Sequence, residues 1–273
     1  MSSAPPSAAP QLVATDLDGT IIGPSGEISE RTVRALRAVE ELGVPVVFVT
    51  GRPTRWMAEV AERTGHTGLA VCANGGVVYD LHRERVVDHY PMSVEVGLEV
   101  ARRLRAALPD VGFAVETLDG FSREAIYDTR WDLGSELRVD EIESLLDGPA
   151  VKLLVRHQSL DADTLLAQAR EVLGDTAELT HSSIGGLLEI SAAGVSKATT
   201  LARLCADRGI EAQDVLAFGD MPNDLPMLAW AGTSYAVGNA HAEVLAAVDH
   251  HAKSVEDDGV AEVLESVFHL RPA

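Results

Sequence analysis

The sequence predicts an α/β protein with a doubly wound parallel core sheet and a smaller inserted α/β domain. Between residues 11 and 82, short apolar runs alternate with helical periodicity, the pattern of a parallel sheet with helices on its faces. Near Arg83 this pattern gives way to another, and it resumes after Gly194. The length, 273 residues, supports two domains at about 150 residues each. Residues 11–82 and 191–273 are expected to form the core and 83–190 the inserted domain. The Ser-, Ala- and Pro-rich residues 1–10 are expected to be a disordered tail.

Leu12-Val13-Ala14-Thr15 reads as a buried strand running into Asp16-Leu17-Asp18-Gly19-Thr20. Ser29 is placed to cap a helix whose Val33, Leu36, Val39 and Leu42 share a face, with Gly43 as its stop. Val44 to Val49 is a second buried strand, ending at Thr50-Gly51-Arg52. Pro53 suits a helix start, and the helix continues over Trp56 to Arg63 until Gly65. Leu69 to Ala73 is a third strand, followed by Asn74-Gly75-Gly76 and a short hairpin-like run.

In the insertion, Val86-Val87, Gly112 to Leu118, Val151 to Val155, Ala177 to Thr180 and Leu187 to Ser191 read as strands. Val94 to Leu108 and Asp161 to Leu173 read as amphipathic helices. After Gly194, Ser196 can cap a helix reaching Arg208-Gly209, and Val215 to Phe218 is a strand ending at Gly219-Asp220. A further helix, a strand at Ser234 to Val237 and a last helix from Gly259 close the chain.

Composition narrows the function classes. At 46% apolar and 23% charged residues the chain is globular. A net charge of −20 repels a phosphate backbone and an anionic bilayer alike, so neither nucleic acid nor membrane is an expected partner. No apolar run approaches the roughly 18 residues of a spanning helix, and the first residues lack a secretory signal's basic start and apolar stretch. Two cysteines, Cys72 and Cys205, lie within apolar patterns and read as free buried thiols. These features lead us to expect a cytoplasmic location.

Polar residues gather where the parallel strands end: Asp16 and Asp18, Thr50, then Asp220 with Asn223 and Asp224. Open parallel sheets bind ligands in the crevice beyond those ends. Carboxylates crowded there repel one another unless a hard divalent cation joins them, and magnesium suits oxygen ligands shared with a phosphate. Thr50 would add a hydroxyl donor. Lys197, one of three lysines beside nineteen arginines, would add a point charge at a helix start. A calcium loop fails on the same residues: Asp16, Asp18 and Glu27 sit at its first, third and twelfth positions, but Ile21 stands where glycine is required.

The sequence resembles the haloacid dehalogenase superfamily of phosphohydrolases in DLDGT at Asp16 to Thr20, FVTGR at Phe48 to Arg52, Lys197, and GDMPNDLPML at Gly219 to Leu228. It is more similar to the Cof-type phosphatase branch, whose cap is inserted between the second and third motifs. Ala73 to Gly76, Val237 to Ala240 and Glu256 to Ala261 look like that branch as well. The resemblance covers the core and fades in the insertion. It implies a Rossmann-like core, a cap closing over the site, and hydrolysis of a small phosphorylated metabolite with Mg2+. Asp16 would be the nucleophile, giving an aspartyl-phosphate, and Asp18 the acid and base. Asp16, the Asp18 backbone carbonyl and Asp220 would hold the metal, with Asp224 nearby. Leu17, Thr50, Gly51, Lys197 and Asn223 would hold phosphoryl oxygens.

Other readings accompany this one. A sugar phosphomutase or other phosphotransferase shares the core chemistry. A catalytically silent metabolite-binding module would need neither Asp16 nor Asp18. Glu116 to Arg130 and His181 to Gly186 look like loops and are candidate substrate selectors. Arg52 either reaches substrate or braces the site, and Asn74 and Asn239 shape loops around it. His250-His251 reads as a solvated pair, and Glu256-Asp257-Asp258 as charge complementing a helix start. Substrate identity and oligomeric state are not encoded in any motif.

Overall fold

The computed structural model describes residues 9–129, 137–182 and 185–270. The tail expected over 1–10 lies outside them except for Ala9 and Pro10, as do Arg130 and two positions of the 181–186 segment. The chain forms two compact units, one running to Asp88 and resuming at Lys197, the other spanning His89–Ser196.

The first unit contains β1 (Leu12–Thr15), α1 (Glu30–Glu41), β2 (Val46–Val49), α2 (Met57–Thr64), β3 (Leu69–Cys72), β4 (Val77–Asp80) and β5 (Arg85–His89). The second contains α3 (Val94–Ala107), β6 (Val111–Glu116), β7 (Phe121–Arg123), β8 (Arg138–Val139), α4 (Ile142–Leu145), β9 (Lys152–His157), α5 (Ala162–Leu173), β10 (Ala177–Thr180) and β11 (Leu187–Ala192). The chain then returns with α6 (Lys197–Ala206), β12 (Val215–Gly219), α7 (Leu225–Trp230), β13 (Thr233–Ala236), α8 (Ala242–Ala247), β14 (His250–His251) and α9 (Gly259–Val267).

Eight strands form the first sheet in the order β14-β13-β12-β1-β2-β3-β4-β5. Pairing is parallel from β14 to β3 and antiparallel between β3 and β4. β1, β2 and β12 are buried along their whole length, which is why they read as unbroken apolar runs. The caps follow the sequence: Ser29 Oγ accepts from Thr32 N at 3.0 Å, and Gly65 closes α2 at φ 68°. From β1 the chain builds β2 and β3 on one side and later β12, β13 and β14 on the other. The switch point therefore lies between β1 and β12.

One expectation is corrected at the sheet's edges and another is extended. Val86-Val87 was placed in the inserted domain, but β5 is the outer strand of the core sheet. All five of its residues are exposed, so no buried face marks its membership. His250-His251 is a solvent-facing pair as expected, with His251 exposed and His250 half-buried, and it also forms an edge strand. The His251 Nε2 lies 3.0 Å from the carbonyl oxygens of Leu245 and Val248, and the His250 ring packs on Tyr235. Cys72 and Cys205 are buried and free. No helix among the described residues is long and apolar enough to cross a membrane.

The second unit's sheet runs β10-β11-β9-β6-β7-β8, antiparallel except for β7 beside β8. One face buries Phe113, Val115, Leu153, Val155, Leu188 and Ile190 against Val100 and Leu104 of α3 and Leu165 of α5. Glu116 to Arg130 is not simply a loop: Glu116 ends β6, and β7 lies within the segment. Strands and helices of two to four residues, such as β7, β8 and α4, are too short for periodicity to disclose.

Glu124 fastens this region. Its carboxylate accepts from the backbone amides of Phe113 and Ile142, both at 3.0 Å, and from the Arg105 guanidinium. Glu124→Ala would strand two buried amides, and should destabilise the second unit by about 2–5 kcal/mol in chemical denaturation. Glu124→Gln keeps one acceptor oxygen for two amide donors and turns its amino group toward the other, so it should still cost a substantial part of that.

Candidate active site

Thr15 lies beside Phe48 on one side and Phe218 on the other, so β1, β2 and β12 end together. Asp16, Thr50 and Asp220 emerge at the same edge of the sheet, on the two sides of its switch point. Asp16, Asp220 and Asp224 are all buried, and each offers a carboxylate oxygen within 4.8 Å of the others'. Lys197, the first residue of α6, projects its ammonium among them. Nζ lies 2.5 Å from Asp16 Oδ1 and 2.6 Å from Asp224 Oδ1.

The turn after β12 is built around Asp224. Its Oδ2 accepts from the amides of Asp220 and Met221, each at 3.0 Å. Gly219 permits this approach, since a Cβ there would sit 2.6 Å from the Asp224 Cβ. Gly19 does the same for Asp220: its φ is +84°, and a Cβ would lie 2.2 Å from Asp220 Oδ2. Thr20 Oγ1 donates to Asp220 Oδ1 at 2.9 Å. Thr20 was not singled out from the sequence, although its place in the DLDGT run, four residues after Asp16, was the available signal.

Asp18 stands apart from the carboxylate cluster. Its two oxygens accept from Arg52 Nε at 2.7 Å and Arg52 Nη2 at 2.5 Å, a bidentate pair. Of the two roles open to Arg52, bracing is the one this geometry displays. The Arg52 backbone also donates to Thr50 Oγ1 at 3.0 Å, closing a tight turn around Gly51. Leu17 is buried, and its carbonyl accepts from Thr20, Ile21 and Ile22. Asn239 Nδ2 donates to Gly19 O at 2.7 Å while its Oδ1 accepts from Val255 N at 2.8 Å, tying two loops. Asn223 is buried and bonded to Asn74, a partner that no sequence pattern indicated.

Charge in this cluster does not balance. Burial pushes the Asp16 carboxyl well above the usual carboxylate range; Lys197 opposes that shift while Asp224 and Asp220 add to it. Burial likewise pushes Asp220 up to about 7, with the Asp224 charge contributing. For Lys197, burial alone would lower the ammonium's pKa, but Asp16 and Asp224 reverse this and hold it above its ordinary value. Three carboxylates face one ammonium, and every nearby donor atom for a cation is oxygen. A hard divalent cation fits that set, because it supplies the missing positive charge and prefers oxygen.

A family model described as haloacid dehalogenase-like hydrolase matches residues 13–264. The chain belongs to this family. Among curated proteins, this hydrolase is 31% identical to a phosphoglycolate phosphatase of Methanothermobacter thermautotrophicus, over 93% of the chain and 97% of the relative. It is 28% identical to a 5-amino-6-(5-phospho-D-ribitylamino)uracil phosphatase of Bacillus subtilis, over 93% and 94%. An HMP-PP phosphatase of Escherichia coli is 26% identical over 88% of each chain. A solved haloalkanoate-superfamily phosphatase of Bacteroides thetaiotaomicron shares the fold with a TM-score of 0.81, at 21% identity over 96% of both chains. A Thermotoga maritima structure gives 0.74 at 26% identity, over 94% and 97%.

The raised carboxyls give this hydrolase a pH signature in the absence of metal. Asp220 ordinarily titrates at 3.8 and is pushed up to about 7 in the fold, so the native state holds a proton that the unfolded chain has released. Stability contributed by that proton is complete below 3.8 and is lost as pH rises through about 7. In chelator, the thermal midpoint should fall between about pH 5 and about pH 8, and a divalent cation should cancel the fall. A midpoint that stays flat in chelator would contradict the charge imbalance.

Proposed function

We propose that this phosphomonoester hydrolase uses Mg2+ and cleaves a small phosphorylated metabolite through an aspartyl-phosphate on Asp16. The observation that carries the reading is the buried Lys197 bridge between Asp16 and Asp224, set beside Asp220 at the sheet's switch point. An Asp16 oxygen attacks phosphorus, the ester P–O bond breaks, and the leaving oxygen takes a proton from Asp18. Water then attacks the same phosphorus and gives its proton to Asp18. The bond to Asp16 breaks, and phosphate departs.

Lys197, Thr50, Gly51, Leu17 and Asn223 hold the phosphoryl oxygens as charge develops on them. Asp16, Asp220 and the Asp18 carbonyl are the residues that would hold Mg2+, which when bound offsets the carboxylate charge facing an incoming phosphate. Arg52 satisfies both Asp18 oxygens, so proton donation requires one of those bonds to open.

Choice of leaving group we assign to the second unit. The face of its sheet opposite the apolar core carries the buried charges Glu116, Lys152, Arg156 and Glu189, with Lys152 Nζ 2.5 Å from Glu189 Oε1. The substrates in the relatives' names differ from one another, which supports shared core chemistry rather than one shared substrate. The test is phosphate release from a panel of phosphorylated metabolites, with Mg2+ and with a chelator. Chelator-sensitive release is expected, and its absence across the panel would overturn the reading.

A further inference from the structure

We infer that Asn74 is a positioning residue for phosphoryl binding, setting which end of the Asn223 carboxamide is offered away from it. The inference rests on the phosphatase reading above, in which Asn223 holds a phosphoryl oxygen. Ala73, Asn74 and Gly75 have φ of 51°, 55° and 103°, three consecutive residues in left-handed backbone. A run of this kind is costly for residues other than glycine and persists only when its surroundings hold it. Ala73 N donates to Arg52 O at 2.9 Å and Asn74 N to Thr50 O at 3.0 Å. Thr200 Oγ1 of α6 donates to Gly75 O at 2.8 Å. The turn is thus clamped between the Thr50–Arg52 segment and the helix that starts at Lys197.

What the clamp achieves is a side-chain meeting. Asn223 Nδ2 donates to Asn74 Oδ1 at 3.0 Å, and both residues are buried. The other polar atoms of the pair, Asn74 Nδ2 and Asn223 Oδ1, are buried with no hydrogen-bond partner among the described residues. Turning both carboxamides by half a turn preserves the contact with its direction reversed: Asn74 Nδ2 then donates to Asn223 Oδ1. The two arrangements differ in what Asn223 presents on its far side, an acceptor oxygen in the first and a donor amino group in the second. Phosphoryl oxygens only accept, so they select the second. Asn74 serves both arrangements because its tip carries a donor and an acceptor. Aspartate at that position could only accept, and would lock the first.

Asn74→Asp preserves the contact as it stands, and Asn74→Gly preserves the left-handed backbone, so neither change need unfold the chain. We would measure inhibition by inorganic phosphate, and KM and kcat on p-nitrophenyl phosphate with Mg2+, in both variants, in Asn223→Ala and in the Asn74→Asp/Asn223→Ala double variant. Thermal midpoints would be taken alongside. Asn74→Asp should weaken phosphate about tenfold and raise KM similarly, with Asn74→Gly less affected. In the Asn223→Ala background the same aspartate should cost little more, because its effect passes through Asn223. An equal loss in both backgrounds would mean that charge alone acts and would overturn the inference. So would variants that melt lower yet bind phosphate as wild type does. If the wild type itself neither binds nor releases phosphate, the phosphatase reading falls and takes this inference with it. Active wild type with undisturbed variants removes this inference alone.

Discussion

Lys197→Met should destabilise the metal-free protein by about 3–5 kcal/mol at neutral pH, a fall of roughly 10 °C in the thermal midpoint. The Lys197 side chain is fully buried and is the ammonium bonded to both Asp16 and Asp224. Methionine fills similar volume, so the loss is electrostatic rather than a cavity. Three buried carboxylates would remain with their compensating charge gone, and one partner of a buried pair left behind costs more than the pair itself was worth. The deficit should shrink as pH falls below about 7, where Asp220 takes up its proton, and shrink again when a divalent cation is added. Turnover should be lost even under conditions that restore the fold, since the proposed mechanism assigns Lys197 as a donor to the phosphoryl group. A Lys197→Met protein as stable as wild type at pH 8 in chelator would show that Lys197 does not carry the cluster's charge.

How much of this was legible in the sequence depends on whether a residue's role is local. Asp16, Thr50 and Asp220 each follow a short apolar run, and a parallel sheet brings such run-ends to one edge whatever lies between them. Lys197 was legible because lysine is scarce in this chain and this one opens a helix. The partners of these residues were not legible. Arg52 meets Asp18 across 34 positions and Asn223 meets Asn74 across 149, and no periodicity encodes a contact made by two side chains from separate loops. The strands misread or missed share a different cause. β5 has no buried face, β7 and β8 are two or three residues long, and β14 pairs through its backbone while its two histidines resemble surface residues. Apolar alternation reports burial, so an exposed edge strand carries no sign of which sheet it joins.

Asp16→Asn should lower turnover by at least about 10⁴-fold while leaving the metal-free protein as stable as wild type or more so at neutral pH. Asparagine has nearly the same shape and retains one oxygen for the Lys197 bond. It also removes one of three crowded negative charges, whose burial already pushes the Asp16 carboxyl well up. Activity and stability thus move in opposite directions here, whereas Lys197→Met lowers both. That contrast separates loss of a nucleophile from loss of a fold. Asp18→Asn completes the argument through the leaving group. With an alkyl phosphate, the proposed mechanism uses Asp18 in both bond-breaking and hydrolysis, so turnover should fall by about 10²–10⁴-fold. With p-nitrophenyl phosphate the leaving phenolate needs little protonation, so Asp16 should still be phosphorylated while hydrolysis stalls. Intact-mass measurement of Asp18→Asn mixed with p-nitrophenyl phosphate and Mg2+ should therefore detect a phosphorylated chain, and the same mixture with Asp16→Asn should not. Phosphorylation that persists in Asp16→Asn would place the nucleophile on another residue.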